Sequence, residues 1–149
     1  MPTTYACPTE PHPPSATLPL VQPEAALHLV AALLHPTPRP ETVAIWLAAD
    51  RTGLGCIAVE DAESPDDVIR LVKVLATSVP PGSRNVAIVL ATHRPGWGPE
   101  VDDCDTCCFD IVDELLAEAG IALIDWFQID DGIAVSLAEH LRRRPRWQP

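Results

Sequence analysis

Residues 85–91, near the middle of the chain, form an almost entirely apolar run of strand length. A strand that alternates apolar and polar residues buries only one face. A continuous apolar run is instead typical of a strand that is buried on both faces. The run therefore predicts a central strand in a sheet that is covered on both sides.

Patterns on either side of this run predict the remaining elements. Apolar residues at helical spacing predict a helix over residues 22–35, and residues 64–67 have the composition of a capped helix start. A third helix is predicted over residues 102–119 and ends at Gly120, a typical position for glycine. Apolar content and intervening turns predict four more strands, at residues 41–49, 54–60, 121–129 and 133–137, before a short basic helix.

The composition indicates one globular domain. Of the 149 residues, 47% are hydrophobic and 21% are charged, which is enough apolar material for a core. The 17 prolines are frequent near the start, so we expect residues 1–19 to be a flexible, proline-rich tail. We expect the domain to span residues 20–141 and a basic C-terminal tail to span residues 142–149.

The formal net charge of −11 argues against nucleic acid as a partner, because nucleic-acid affinity depends largely on clustered lysine and arginine. The arginines of residues 142–146 are the exception, and they predict either a solvated helix end or a binding patch. No apolar run approaches the roughly 20 residues that span a bilayer. No signal peptide is recognisable, so we expect a cytoplasmic protein without a membrane partner. The five cysteines are an odd number, which predicts thiols.

Several short segments, in this order, resemble a known family. Glu41 stands at the start of the first predicted strand, residues 65–68 open a helix, and an Asp131-Gly132 turn leads to a final Val-Ser-Leu strand. Their order and spacing resemble the RadC-like JAB/MPN domain of the JAMM metallopeptidase class, over about four-fifths of the chain. The resemblance implies an α/β fold with a JAB/MPN-like mixed β-sheet, flanked by helices, in a single domain.

The family's metal motif is His-x-His, seven further residues and Ser-x-x-Asp, in which the two histidines and the aspartate bind zinc. This chain keeps the spacing and changes the side chains. Thr92 and Arg94 stand at the two histidine positions, Asp102 stands at the serine position, and Asp105 matches the aspartate. Glu41 lies where the family has the glutamate that acts on metal-bound water, which implies a catalytic role. Pro95 and Pro99 match prolines that are typical of the RadC-like loop.

One interpretation of these changes is that the metal has been replaced. Threonine is a poor zinc ligand, and arginine stays protonated, so Arg94 removes a donor and adds a charge that repels a cation. Its guanidinium would pair with Asp105 or Glu41, and no cofactor would be held. Asp102 has an ordinary role in this interpretation, since aspartate caps a helix start as well as serine does.

The alternative interpretation is a rebuilt zinc site. A shift of the loop by one residue would turn His93 inward, and His93, Asp105 and Cys104 would bind zinc with Glu41 as the base. The three cysteines of this region, however, recur at helical spacing with Ile111 and Leu115, which predicts that most of them are buried core residues. The Cys104-x-x-Cys107 spacing also fits a redox pair, but a thioredoxin-like order of elements is lacking.

Trp97 stands between two glycines, where a large aromatic side chain is either packed into the core or displayed to a partner. We predict a RadC-like JAB domain that lacks the standard zinc ligands and acts as a non-catalytic binding or regulatory module. The resemblance implies a protein partner or a homodimer, since metal-free relatives in the class are scaffolds and dimerisation partners. The alternative function is a zinc-dependent metallopeptidase or isopeptidase. The acidity of the chain does not support the DNA-repair association of the RadC name.

Overall fold

The computed structural model describes residues 4–7, 19–78, 86–98 and 100–148. These residues form six strands and four helices in a single small α/β domain. The strands are β1 Thr4–Ala6, β2 Glu41–Leu47, β3 Gly53–Glu60, β4 Val86–His93, β5 Ile121–Asp130 and β6 Ile133–Ser136. The helices are α1 Pro23–Leu33, α2 Pro65–Thr77, α3 Asp103–Glu118 and α4 Leu137–His140.

The strands form one mixed sheet in the order β1-β6-β5-β4-β2-β3. β4 and β5 are parallel and are joined through α3, whereas the other neighbouring pairs are antiparallel. All residues of β4 except the last, His93, are buried. The prediction of a central strand that is buried on both faces is therefore confirmed.

The two faces of the sheet bury different helices. Val43, Ile45 and Val89 point to the face that packs on α1, through its residues Leu27 and Val30. Their sequence neighbours in β2 and β4 point to the opposite face, which packs on α2 and α3. Side chains alternate between the faces along a strand. Whether a residue of β4 has an odd or an even number therefore decides against which face its side chain packs. This alternation places the side chains of Thr92 and His93 on opposite faces of the sheet.

Local sequence signals explain where the helices begin and end. The side chain of Ser64 accepts a hydrogen bond from the backbone N–H of Asp67, whose carboxylate accepts one from the backbone of Ser64. This reciprocal capping box, together with Pro65 in the first turn, fixes the start of α2. After α3 the chain turns at Gly120, which has φ +77°, a conformation that glycine adopts without steric cost.

The two ends of the chain differ from the expected tails. Thr4–Ala6 pair with β6 at the edge of the sheet, although the sequence analysis assigned them to a flexible segment. Near the other end Trp147 is buried, and Arg51 donates hydrogen bonds to the carbonyl oxygens of Arg146 and Gln148. Trp147 is therefore packed on the domain, whereas Arg142, Arg143 and Arg144 are exposed.

A few expectations lie outside the described residues. They concern most of the proposed N-terminal tail, the strand start at Asn85, and Pro99 in the loop. Among the residues that the structure does describe, no helix is long and apolar enough to cross a membrane.

Candidate functional site

The centre of the metal-like motif is a buried ion pair. Arg94 follows β4 directly, and its backbone N–H donates to the carbonyl of Ile129 in the neighbouring strand. Its guanidinium donates two hydrogen bonds to the carboxylate of Asp105, Nη1 to Oδ1 at 3.0 Å and Nη2 to Oδ2 at 3.2 Å. The relative exposures of Arg94 and Asp105 are 3% and 0%. The fork of the guanidinium matches a carboxylate in this bidentate geometry.

Asp105 also helps to start α3. Its Oδ2 accepts a hydrogen bond from the backbone N–H of Asp102 at 3.1 Å, and the Oδ1 of Asp102 accepts one from the N–H of Asp105 at 2.9 Å. The two aspartates thus form a capping box in which Asp102 is the N-cap. The carboxylate of Asp105 therefore accepts three hydrogen bonds from the chain itself.

Thr92, at the other histidine position, belongs to a small polar cluster on the α3 face. Its hydroxyl accepts a hydrogen bond from the indole N–H of Trp126 at 3.0 Å and shares one with the hydroxyl of Thr42, also at 3.0 Å. The Thr42 hydroxyl in turn contacts the carbonyl of Ala62 at 2.6 Å. Thr42 and Trp126 were not identified from the sequence, because nothing in the spacing of single residues shows which strands will be neighbours.

The loop after Arg94 presents Trp97 at the surface. The indole is 57% exposed, and the guanidinium carbon of Arg94 lies 5.2 Å from its ring centroid, in cation–π geometry. The flanking Gly96 and Gly98 have φ values of +87° and +77°. The displayed placement of Trp97, one of the two that the sequence left open, is the one observed.

Asp130 anchors this loop through hydrogen bonds to its backbone. Its carboxylate accepts hydrogen bonds from the backbone N–H groups of Gly96 at 3.3 Å and Gly98 at 2.7 Å. Asp130 is the last residue of β5, directly before the Asp131-Gly132 turn, and was not identified from the sequence. A glycine-rich loop with free amides calls for an acceptor, and that need is the one signal that would have pointed to an acid on an adjacent strand.

Glu41 and His93 lie on the opposite face of the sheet. In the antiparallel register Glu41 is paired with His93, and both have the parity that points toward α1. Glu41 is fully buried. It accepts hydrogen bonds from the backbone N–H of His35 at 2.6 Å and from Nε of Arg39 at 3.3 Å. Of the two partners considered for Arg94, Asp105 is the one that it contacts.

His93 lines a cavity of about 590 Å³ beside α1, together with Cys7 and Asp130. Burial lowers the pKa of the imidazole below its usual value, and the opposing effects of Glu41 and Asp130 are smaller. Within the described part of the chain the buried Nδ1 of His93 has no hydrogen-bond partner. His93 therefore belongs to the α1 face, and the structure does not bring it to Asp105.

The cysteines of α3 are divided between surface and core. Cys104 and Cys107 are exposed, and only Cys108 is buried. The expectation that most of these cysteines are core residues is therefore wrong, because the apolar face of α3 runs through Cys108, Phe109 and Val112. Cys104 stands beside Asp105 in sequence, but its side chain is on the solvent side of the helix.

No protein-family model matches the chain, and no curated protein matches it. In the described ranges there is also no group of three or more histidine, cysteine, aspartate or glutamate side chains placed to hold a metal ion. The region thus combines a buried bidentate ion pair, a capped helix start and an exposed tryptophan. Such an arrangement provides a rigid surface whose most prominent group is an aromatic ring.

Proposed function

We propose that this chain is a RadC-like JAB domain in which an arginine occupies the metal position, and that it acts as a non-catalytic binding module. The observation that carries the proposal is the bidentate contact between Arg94 and Asp105. By the resemblance, the two residues stand at the family's second histidine and its aspartate, which supports an ion pair in the place of the metal.

The electrostatics of the pair support this proposal. The guanidinium of an arginine carries a positive charge, so it repels a divalent cation at contact distance. Asp105 already accepts three hydrogen bonds, one of them from the N-cap of α3. A zinc ion would have to displace Arg94 from a buried position and leave that charge without a partner, which costs several kcal/mol.

Metal content provides the first test. We expect protein purified without added metal to contain far less than one zinc per chain by elemental analysis, and zinc titration to release no binding heat. The restored variant Thr92→His/Arg94→His, which returns both family ligands next to Asp105, should bind about one zinc. Adding Asp105→Ala to that variant should abolish the binding.

The same measurement addresses the enzymatic alternative, a zinc peptidase that uses His93, Asp105 and Cys104. That alternative requires the three side chains to converge, whereas His93 lies on the α1 face and Cys104 is exposed on the other side. About one zinc per wild-type chain, lost in His93→Ala or Asp105→Ala, would overturn the proposal and favour the peptidase.

The binding role rests on how Trp97 is held. A surface indole whose loop is fixed by Asp130 and whose ring is stacked on Arg94 loses little conformational freedom on binding. Aromatic residues presented in this way are enriched among interface hot spots. We propose that Trp97 contacts a protein partner, and a second copy of this chain is the simplest candidate.

Sedimentation of the full chain over a concentration series tests the second-copy version. We expect self-association that Trp97→Ala weakens by about tenfold or more, as befits a hot-spot residue. Leu54→Ala is the matched control, because Leu54 is 62% exposed on β3 and belongs to a different surface. A chain that stays monomeric at all concentrations, or a loss that is equal in both variants, would rule out Trp97-mediated homodimerisation.

A further inference from the structure

Three thiols lie on the first two turns of α3, and two of them face solvent. Cys104 and Cys107 are exposed and stand three positions apart, so they are neighbours on one side of the helix. Cys108 is buried, and burial raises the pKa of its thiol, with smaller contributions from Asp66 and from the thiols of Cys104 and Cys107. Of these three thiols, only Cys104 and Cys107 are therefore accessible to a reagent in solvent.

The helical spacing brings the exposed pair close to the geometry of a disulfide. Residues three apart on a helix have Cβ atoms about 5 to 6 Å apart, whereas a disulfide requires about 3.5 to 4.5 Å between them. Bond formation therefore needs an approach of roughly 1 to 2 Å, which a helix can accommodate in its first turns but not without local distortion. The two cysteines outside α3 are unlike this pair, since Cys56 is an exposed thiol on β3, away from α3, and Cys7 is buried.

We propose that Cys104 and Cys107 form a dithiol site that exchanges with a small disulfide such as glutathione disulfide. The thiolate of one cysteine attacks a sulfur of the reagent, forms a mixed disulfide and releases one glutathione thiolate. The thiolate of the second cysteine then attacks the protein sulfur and releases the other glutathione. Two protein thiols are oxidised to one disulfide, the reagent is reduced to two thiols, and the two protons pass to the released thiolates or to solvent.

The position of the pair connects its oxidation to the buried ion pair. The backbone between the two cysteines is Asp105 and Thr106, and Asp105 holds both Arg94 and the N-cap of α3. Drawing the two Cβ atoms together distorts this turn, so the contact between Asp105 and Arg94 weakens in the oxidised form. Because Arg94 stacks on Trp97, the change extends to the exposed ring. This coupling is independent of the proposed loss of zinc binding, since it needs only the observed contacts.

The exchange is tested on the full chain in buffers of varied ratio of glutathione disulfide to glutathione, with intact mass and peptide mapping as readouts. We expect a Cys104–Cys107 disulfide as the main product, and mixed disulfides at either residue at least about tenfold rarer than at Cys56, because the second thiol attacks intramolecularly. Cys107→Ser should leave a stable mixed disulfide at Cys104. Cys56→Ser should leave the Cys104–Cys107 product unchanged.

Two results would overturn the dithiol site. One is a mixed disulfide that persists at Cys104 or Cys107 of the otherwise unchanged chain as it does at Cys56. The other is the absence of any disulfide between the two at a large excess of glutathione disulfide. The coupling between the two thiols and Trp97 is measured as the change in tryptophan fluorescence when the thiols are oxidised. This change should be lost in Trp97→Phe and in Cys104→Ser. Oxidation that leaves both the fluorescence and the unfolding midpoint unchanged would refute the coupling alone.

Discussion

The guanidinium of Arg94 and the carboxylate of Asp105 meet through two hydrogen bonds, of 3.0 and 3.2 Å, in the interior between β4 and α3. A buried ion pair of this kind contributes less than its short contacts suggest, because both charges have lost their hydration. Its main effect is on specificity: each residue makes the other indispensable. The contact joins the start of the loop after β4 to the start of α3, and the same guanidinium lies over the ring of Trp97.

Removal of one partner should therefore be costly. We expect Arg94→Met to lower the free energy of unfolding by about 3 to 5 kcal/mol, because Asp105 is left buried without its counter-charge. The double variant Arg94→Met/Asp105→Leu should be less destabilised than Arg94→Met. Arg70→Met is the control, since Arg70 is 77% exposed and its contact with Asp67 is 3.9 Å; it should change stability by less than about 0.5 kcal/mol. Urea unfolding measures all three, and equal losses in Arg94→Met and Arg70→Met would contradict the expectation.

Asp102 has a capping role that can be separated from any role in catalysis. Its Oδ1 accepts a hydrogen bond from the N–H of Asp105 at the start of α3. We expect Asp102→Ala to cost about 0.5 to 2 kcal/mol and Asp102→Ser, which keeps a good capping side chain, to retain most of the stability. Asp103→Ala removes a neighbouring first-turn acid that is not the cap, so its effect should be smaller. Thermal and urea unfolding compare the three variants, and a serine variant as unstable as the alanine variant would argue against capping.

The fold and the site differ in how much the sequence reveals of them. Apolar runs and capping signals located β4, α2 and α3 because burial and helix starts are determined by residues that are close together in the chain. Thr4–Ala6 carry no such signal, since three residues at the edge of a sheet become a strand only when β6 is beside them. The same limit applies to Trp147, whose burial depends on the hydrogen bonds that Arg51 makes with the last residues.

At the site, the spacing of residues in the sequence identified the positions of interest. It did not show toward which face of the sheet each side chain points. Arg94 had two acidic candidates in the sequence, Glu41 and Asp105. The position of Glu41 in β2 directs its side chain toward α1, where it accepts hydrogen bonds from His35 and Arg39 in the segment before β2. Asp105 is therefore the acid that pairs with Arg94. His93 is excluded from the pair for the same reason. Register across three strands decides these contacts, and single-residue patterns do not contain that information.

Asp125 should make stability depend on pH. It is fully buried beside the register shift between β4 and β5, and burial raises its pKa to about 7, against the opposing hydrogen bonds from Ser136, Ala138 and Trp126. The unfolded value is about 3.9. Because the folded pKa is the higher one, the stabilising contribution is complete below about pH 4 and is lost as the pH rises through about 7. The loss is on the order of 3 to 4 kcal/mol.

The unfolding midpoint in urea between pH 5 and pH 8 measures this effect. We expect the wild-type midpoint to fall with rising pH more steeply than that of Asp125→Asn, which mimics the neutral carboxyl. The lowered pKa of His93 acts with the opposite sign: its contribution is lost as the pH falls below the unfolded value of about 6.5. Both proteins are therefore compared in a His93→Gln background. Parallel pH profiles in that background would show that Asp125 does not titrate in this range.

Trp147 and Trp97 differ widely in burial and should differ in how much each contributes to the stability of the fold. Trp147 is 7% exposed and packs on Phe127, with ring centroids 6.2 Å apart, whereas Trp97 is 57% exposed. We expect Trp147→Ala to cost about 3 to 5 kcal/mol, as for a large core aromatic residue. Trp97→Ala should cost much less, because its ring contacts only the loop and Arg94. Arg51→Gln, which weakens the hydrogen bonds to the segment that carries Trp147, should destabilise the domain without changing the core itself. If Trp147→Ala lowered the free energy of unfolding in urea by no more than Trp97→Ala, the C-terminal segment would contribute nothing to the core. That result would contradict the packing of Trp147 on the domain.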